Sequence, residues 1–185
     1  MANLAYDLPS YSYDDYITWE DSWEIIDGVA YAMSPAPYPK HQKLAFKIAK
    51  ELDDNLTECN KCEVYISPID WKIDDTTVVQ PDVALFCEKT ANQYFSKTPP
   101  LVVEVLSKAT ALKDVTTKFE LYQKVGVGYY VIVEPESEVA DIFKLVSGKY
   151  QLIKKFTSQD SYDFELENSC KTKIDFANVF SYQAT

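Results

Sequence analysis

The sequence contains no arginine: all 18 basic residues among its 185 residues are lysine. Guanidinium groups make the bidentate contacts that clamp phosphates and read guanine, so their absence argues against an arginine finger or an arginine-based clamp. The 29 acidic residues bring the formal net charge to −11. A field of this sign repels phosphates, so any contact with nucleic acid has to come from a local group of lysines.

Glycine is also scarce, with four in the chain. A glycine-rich loop that cradles phosphates cannot be built from so few, which excludes P-loop and dinucleotide-binding proteins. Gly28 follows Asp27 between two strand-like runs and predicts a hairpin. Gly126 follows a helical pattern, as C-terminal helix caps do.

Cysteine is present but sparse, and four residues are too few for a disulfide scaffold in a chain of this length. Cys59 and Cys62 have the spacing of half a zinc site. A second such pair is missing from the sequence, and the single histidine, His41, lies well upstream. We therefore expect free thiols, with a redox pair or a metal site as the alternative.

Long apolar segments are missing as well. The longest apolar run, residues 125–133, is too short to span a bilayer and contains two glycines. The N-terminal residues have neither a basic region nor an apolar signal core. These features predict a cytoplasmic protein that does not associate with membranes.

Hydrophobic residues make up 46% of the chain, which is enough for one sizeable core. The length predicts a single domain over residues 1–185, with a helical lead-in at residues 1–20. Apolar periodicity predicts helices at about residues 40–57 and 110–125. Strand-like runs lie at residues 64–73, 78–86, 101–106, 129–133, 139–146 and 149–156. The predicted class is α/β (α+β), with a central mixed sheet flanked by helices.

Two acidic residues interrupt these apolar runs. Asp82 lies within residues 78–86, and Glu104 lies within residues 101–106. An ionised acid in a buried strand is costly unless it is paired or binds a cation. If the strands are neighbours, both acids meet at one point and could hold a hard ion such as magnesium. Alternatively, each strand ends at its acid and the acid contacts water.

Lys118 and Glu24 are further candidates. Lys118 lies on the flank of a predicted helical stripe formed by Leu112, Val115, Phe119 and Tyr122. A lysine there can bury its stem and direct its ammonium group toward the edge of the sheet. Alternatively, it forms a simple i,i+4 pair with Asp114. Glu24 lies on a predicted hairpin strand, where a glutamate most often faces solvent.

Five segments together resemble the Uma-two (Uma2) family of restriction endonucleases, within the PD-(D/E)XK nuclease superfamily. They are EIIDG at 24–28, MSPAP at 33–37 followed by His41, QPDV at 80–83, VVEVLS at 102–107, and KFELYQKVGV at 118–127 followed by VIVEP at 131–135. Their order and spacing make the resemblance specific, and it covers about residues 12–180. It implies a restriction-endonuclease-like fold with a metal site at one edge of the sheet.

The resemblance also implies roles for individual residues. Asp82 and Glu104 correspond to the two metal-binding acids, and the Val105 carbonyl and Glu24 are further ligands for one or two Mg²⁺ or Mn²⁺ ions. The usual lysine position falls on Leu106, so Lys118 on the following helix takes its place. Lys118 would position the attacking water or neutralise the transition state. His41 lies at a family motif position without an assigned role.

These features together predict a magnesium-dependent endonuclease that hydrolyses phosphodiester bonds of nucleic acid, with DNA the preferred substrate. Contacts with the nucleic acid would come from local lysines such as Lys40, Lys43, Lys47 and Lys50. Alternatively, these lysines form an ordinary solvated helix face. Two cuts in a duplex are compatible with a homodimer. The rival prediction is a binding or assembly protein that keeps the fold without activity. A third is a metal-dependent enzyme acting on a smaller phosphorylated substrate.

Overall fold

The computed structural model describes residues 9–33, 38–59, 61–107, 111–166 and 169–181. The helices are α1 (Tyr13–Tyr16), α2 (Pro39–Asp54), α3 (Ala111–Lys113), α4 (Phe119–Val125) and α5 (Phe176–Phe180), with a π-helical segment (Asp114–Lys118) between α3 and α4. The strands are β1 (Trp23–Ile26), β2 (Val29–Ala32), β3 (Glu63–Ile66), β4 (Asp70–Asp74), β5 (Thr77–Val79), β6 (Val83–Phe86), β7 (Tyr94–Phe95), β8 (Leu101–Val105), β9 (Tyr129–Glu134), β10 (Val139–Val146), β11 (Lys149–Phe156), β12 (Ser161–Glu165) and β13 (Lys171–Asp175).

The central sheet has six strands in the order β11-β10-β9-β8-β6-β3. It is mixed, because β8 and β9 are parallel while its other neighbours are antiparallel. Every residue of β6 and β8 is buried. One face packs on α2, β12, β13 and α5, and this contact forms the first core. The other face packs on α4 and a second sheet, and this contact forms the second core. This mixed α+β architecture agrees with the predicted class.

The second sheet has five strands in the order β2-β1-β5-β4-β7. Its existence corrects two predictions, since residues 64–73 and 78–86 do not form single strands. The first run divides into β3 and β4 around Pro68, and the second into β5 and β6 around Pro81, with the halves in different sheets. Proline has no N–H for the ladder, so a strand is readily interrupted there. Asp82 therefore lies where the chain passes between the sheets.

The helix predicted at residues 110–125 is present over the described residues 111–125, but its buried face differs from the prediction. We call α3, the π-helical segment and α4 together the composite helix. Leu112 is 76% exposed and Val115 is 43% exposed, whereas Asp114 and Lys118 are buried. A π-helical turn contains an extra residue and so rotates the side chains that precede it. The predicted apolar stripe is therefore wrong in its first half.

Other local predictions are confirmed. Helix α2 buries the predicted residues Leu44, Ile48 and Leu52 against the central sheet. Asp27 and Gly28 both have positive φ in the turn between β1 and β2, as a type I′ hairpin requires. Residues 1–8 of the lead-in and residues 34–37 of the MSPAP motif lie outside the described residues. Within the described part, no helix is long and apolar enough to cross a membrane.

The prediction of free thiols is wrong for this structure. Cys59 forms a disulfide with Cys170, and Cys62 forms one with Cys87. The partners are 111 and 25 residues apart in sequence. Their proximity results from strand pairing that the spacing of the cysteines does not indicate.

Candidate active site

Asp82 and Glu104 occupy opposing positions on neighbouring strands. The antiparallel register pairs Val83 of β6 with Val103 of β8, so its continuation by one residue places Asp82 opposite Glu104. Glu104 alternates with Val103 and Val105, whose side chains face the first core, so the Glu104 side chain points toward the composite helix on the other face of the sheet. The Val105 N–H donates to Oδ2 of Asp82 at 2.8 Å, which fixes that carboxylate at the end of the ladder.

Lys118 reaches this point from the composite helix. Its Nζ atom lies 2.8 Å from Oε1 of Glu104 and 2.8 Å from Oε1 of Glu24, and its side chain is only 3% exposed. The pair with Asp114 that sequence spacing offered is also present, at 3.9 Å. Burial lowers the pKa of Lys118, but the charges of Glu104, Glu24 and Asp114 outweigh this and raise it well above its ordinary value. Lys118 is therefore held as an ammonium ion.

Glu24 is fully buried on β1 and anchors two lysines. Oε1 accepts from Lys118 and from the Gln80 N–H at 2.8 Å, and Oε2 accepts from Lys113. Burial raises the pKa of Glu24, but the two lysines reverse the effect and lower it. Both oxygens thus bind protein donors, so the observed contacts make Glu24 a positioning group. Its role as a metal ligand stays a prediction.

Glu104 is the second buried carboxylate of the site. Oε1 accepts from both Lys118 and the Tyr122 hydroxyl, each at 2.8 Å. Burial raises the pKa of Glu104 well above its ordinary value; Lys118 opposes the shift, and Asp82 is among the carboxylates that add to it. Because Lys118 and Tyr122 use the same oxygen, Oε2 is the Glu104 atom that could bind an ion.

His41 on α2 completes the solvent side of the site. Its Nε2 atom lies 3.1 Å from Oδ2 of Asp82. Burial lowers the pKa of His41, but the hydrogen bond and charge of Asp82, with smaller contributions from the Val105 backbone and Asp114, raise it overall. Sequence reasoning placed His41 in a motif and gave it no role. The contact shows that it holds the Asp82 carboxylate.

Sequence reasoning missed Lys113 and Tyr122. Lys113 lies five residues before Lys118, a spacing that does not share a face in a regular α-helix. The π-helical segment between them brings both side chains to Glu24. Tyr122 belongs to the predicted apolar stripe, yet its hydroxyl donates to Oε1 of Glu104 at 2.8 Å. The signal available for Lys113 was its position on the same helix as Lys118.

The donor set fits a hard divalent cation. We call Glu24, Asp82, Glu104, Lys113, Asp114 and Lys118 the acid–lysine cluster. Its four carboxylates outnumber its two lysines, so a cation would neutralise excess negative charge. Asp82 is 17% exposed and offers an accessible oxygen. Asp82, Oε2 of Glu104 and the adjacent Val105 carbonyl are oxygen ligands of the kind that Mg²⁺ prefers.

The lysines of α2 are partly engaged inside the protein. Lys47 donates to the carbonyls of Val179 and Ser181 at the end of α5. Lys50 forms an ion pair with Asp54. Lys47 is therefore less available to phosphates than its spacing predicts, whereas the Lys50–Asp54 pair is exposed and weak, and leaves Lys50 accessible.

The fold and sequence are similar to those of known proteins over most of the chain. "Uncharacterized protein slr1290" of Synechocystis sp. (strain ATCC 27184 / PCC 6803 / Kazusa) is 27% identical over 167 residues, covering 85% of this chain and 86% of that protein. A crystal structure described as a "putative nuclease belonging to DUF820" from Anabaena variabilis ATCC 29413 has a TM-score of 0.70 at 15% identity, and the match covers 91% of this chain and 96% of that one. This likeness agrees with the predicted restriction-endonuclease-like fold.

The model of the Uma2 family, described as "Putative restriction endonuclease", matches residues 13–169. The chain therefore belongs to the Uma2 family.

Proposed function

We propose that this protein is a divalent-metal-dependent nuclease that hydrolyses phosphodiester bonds of nucleic acid, with DNA as the preferred substrate. The observation that carries the proposal is the buried ammonium of Lys118, which lies between Glu24 and Glu104; the strand register places Asp82 opposite Glu104. Burying a lysine among several carboxylates costs desolvation free energy that the ion pairs often do not recover, so stability alone does not explain the arrangement. Membership of the Uma2 family supports the same reaction class.

Asp82, Glu104 and the Val105 carbonyl would hold one Mg²⁺ or Mn²⁺ ion. When bound, such an ion lowers the pKa of a coordinated water and stabilises negative charge on a phosphate. Asp82 is the ligand nearest to solvent, and its orientation is set by the Val105 N–H and by His41. These two donors keep the carboxylate ready to bind the ion.

Lys118 supplies a fixed positive charge next to the proposed metal ligands. A preorganised charge of this kind stabilises the negative charge that develops on a phosphoryl group, and it needs no rearrangement during the reaction. Glu104 and Glu24 orient the ammonium, and their charges raise the pKa of Lys118 and keep it protonated. Lys113 has 13% of its side chain exposed and extends the positive charge toward solvent. It is the lysine of this cluster best placed to contact a phosphate of the substrate.

A non-catalytic binding or assembly protein is the second candidate. It is favoured by the absence of arginine, the net charge of −11 and the contacts of Lys47 with the end of α5. Such a protein would retain the acid–lysine cluster for fold specificity and would show no turnover.

A cleavage assay separates the two candidates. Supercoiled plasmid, linear duplex DNA, single-stranded DNA and RNA are incubated with the native chain and Mg²⁺ or Mn²⁺. We expect metal-dependent cleavage by the native chain and by Asp53→Asn, a control that removes an exposed acid from α2. Asp82→Asn keeps the side-chain size and should lose cleavage. If the native chain cuts none of these substrates with either metal, the nuclease proposal is wrong.

A further inference from the structure

All four cysteines of the chain meet at one place, and none of them belongs to the acid–lysine cluster. Cys62 immediately precedes β3, and Cys87 immediately follows β6. The antiparallel register pairs Glu63 with Phe86, so Cys62 and Cys87 are the next opposing pair. Cys87 lies at the end of β6 opposite to Asp82, about 16 Å along the strand.

The other two cysteines are brought together by a different ladder. Thr57 and Lys171 form a bridge in which their backbone groups exchange two hydrogen bonds, of 2.9 and 3.1 Å. Cys59 lies two residues after Thr57, and Cys170 immediately precedes Lys171 on β13. The bridge therefore fixes Cys59 beside Cys170.

The two cysteine pairs are in direct contact. Sγ of Cys62 lies 3.6 Å from Sγ of Cys170. The sulfur atoms of Cys59, Cys62 and Cys170 all lie within 4.8 Å of one another, and Cys62 and Cys170 are buried. Cys87 is joined to the group through Cys62. We call these four residues the cysteine cluster.

We propose that the reduced cysteine cluster binds one Zn²⁺ ion through Cys59, Cys62, Cys87 and Cys170. Zinc–sulfur bonds are about 2.3 Å long, so neighbouring sulfurs of a tetrahedral site are about 3.8 Å apart. The contact of 3.6 Å between the two pairs matches this separation. Cys59 and Cys62 also have the two-residue spacing that is common in structural zinc sites. Soft thiolates select zinc over the magnesium that suits the carboxylates.

The two disulfides are the oxidised form of the same site. A dithiol reductant gives two electrons and two protons to each disulfide, is itself converted to a disulfide, and leaves two thiols. Zn²⁺ then binds the four sulfurs as thiolates, and the four thiol protons pass to solvent. The metal therefore replaces the two covalent links without changing which elements are joined.

Four protein ligands leave no open position on the metal, so the site is structural. It links the loop after α2 to β13 and to the edge strand β3 of the central sheet. Helix α2 carries His41, and it is also joined to β13 by the bond from Thr172 Oγ1 to the Leu52 carbonyl at 2.6 Å. Zinc would thus stabilise the packing of α2 on the central sheet.

Metal analysis of the full chain tests the proposal. The native protein is purified with a dithiol reductant and without a chelator, and bound metals are measured by mass spectrometry. We expect about one zinc per chain, and we expect Co²⁺ added to reduced, metal-free protein to give the visible absorption of a tetrahedral tetrathiolate. Cys59→Ser and Cys62→Ser should lose zinc to a chelator that leaves the native chain loaded. Asp82→Asn should keep its zinc.

Several results would overturn the zinc site. The first is a reduced native chain that has no bound zinc and gives no tetrahedral cobalt spectrum. The second is a native chain that keeps both disulfides in the presence of the dithiol. The third is a chain that contains stoichiometric iron instead of zinc. Retention of zinc by both serine variants would contradict the ligand assignment. Cys59 is less buried than Cys62, so Cys59→Ser is the variant expected to fold. If neither variant folds, the cobalt titration of the native chain decides.

Discussion

The Nζ atom of Lys118 lies 2.8 Å from Oε1 of Glu104, and both side chains are almost completely buried. The contact joins the composite helix to the central strand β8. The same ammonium binds Glu24 on β1 of the second sheet. Lys118 therefore links the composite helix, β8 of the central sheet and β1 of the second sheet through ion pairs.

Replacing Lys118 by methionine should destabilise the protein strongly. Loss of one partner of a buried ion pair leaves an uncompensated charge and costs about 3–5 kcal/mol. We expect this loss in the free energy of unfolding, measured by urea titration in the absence of metal. A catalytic role alone would leave stability unchanged, so activity of this variant has to be compared at matched folded fraction.

The double variant Lys118→Met/Glu104→Gln provides the control. Neutralising Glu104 removes the charge that Lys118 leaves unpaired, and residues in direct contact commonly couple by about 0.5–3 kcal/mol. We therefore expect part of the lost stability to return. Strictly additive effects of the two substitutions would show that the contact is energetically silent.

Divalent metal should stabilise the native chain through Asp82. An ion that binds only the folded state contributes about 2.7 kcal/mol when its free concentration is a hundred times its Kd. Mg²⁺ or Mn²⁺ should raise the Tm of the native chain and of Asp53→Asn, and barely affect Asp82→Asn. Equal responses of all three proteins in a thermal melt would mean that the ions bind elsewhere on the acidic surface.

The contact between His41 and Asp82 should make stability depend on pH. The pKa of His41 is raised in the folded state, so the folded protein holds this proton more tightly than the unfolded chain, whose histidine has a pKa of about 6.5. The stabilisation is complete below that pH and is lost as the pH rises through the folded pKa.

Urea titrations of metal-free protein over a pH series test this prediction, with His41→Gln as the control. The stability difference between the native chain and the variant should shrink as the pH rises above about 6.5. A difference that stays constant, or that grows with pH, would contradict the predicted linkage.

The candidate residues that violate their local pattern are the ones that the structure brings to one place. Asp82 and Glu104 are conspicuous because each interrupts an apolar strand, and the strand register brings them together. Lys113 could not be found in this way, because its distance of five residues from Lys118 has meaning only in a π-helical turn.

The prediction of free thiols was wrong for a related reason. The spacing of Cys59 and Cys62 was visible in the sequence, but their partners come from β6 and β13. Two separate ladders have to form before these sulfurs approach one another. No local sequence pattern indicates that Cys87 and Cys170 lie next to Cys59 and Cys62. Because the sequence contains only one closely spaced cysteine pair, it predicts free thiols.

The rotated face of the composite helix can be tested with one substitution made at two places. Leu112 and Leu121 both lie on this helix, but Leu112 is 76% exposed and Leu121 is 6% exposed. Leu112→Ala should change the free energy of unfolding by no more than about 0.5 kcal/mol. Leu121→Ala removes buried methyl groups from the second core and should cost about 2–5 kcal/mol. A regular helix that buries the stripe through Leu112 would instead make Leu112→Ala the costly change. Urea titration of the two variants therefore distinguishes the π-helical arrangement, which brings Lys113 and Lys118 to Glu24, from a continuous α-helix that would separate them.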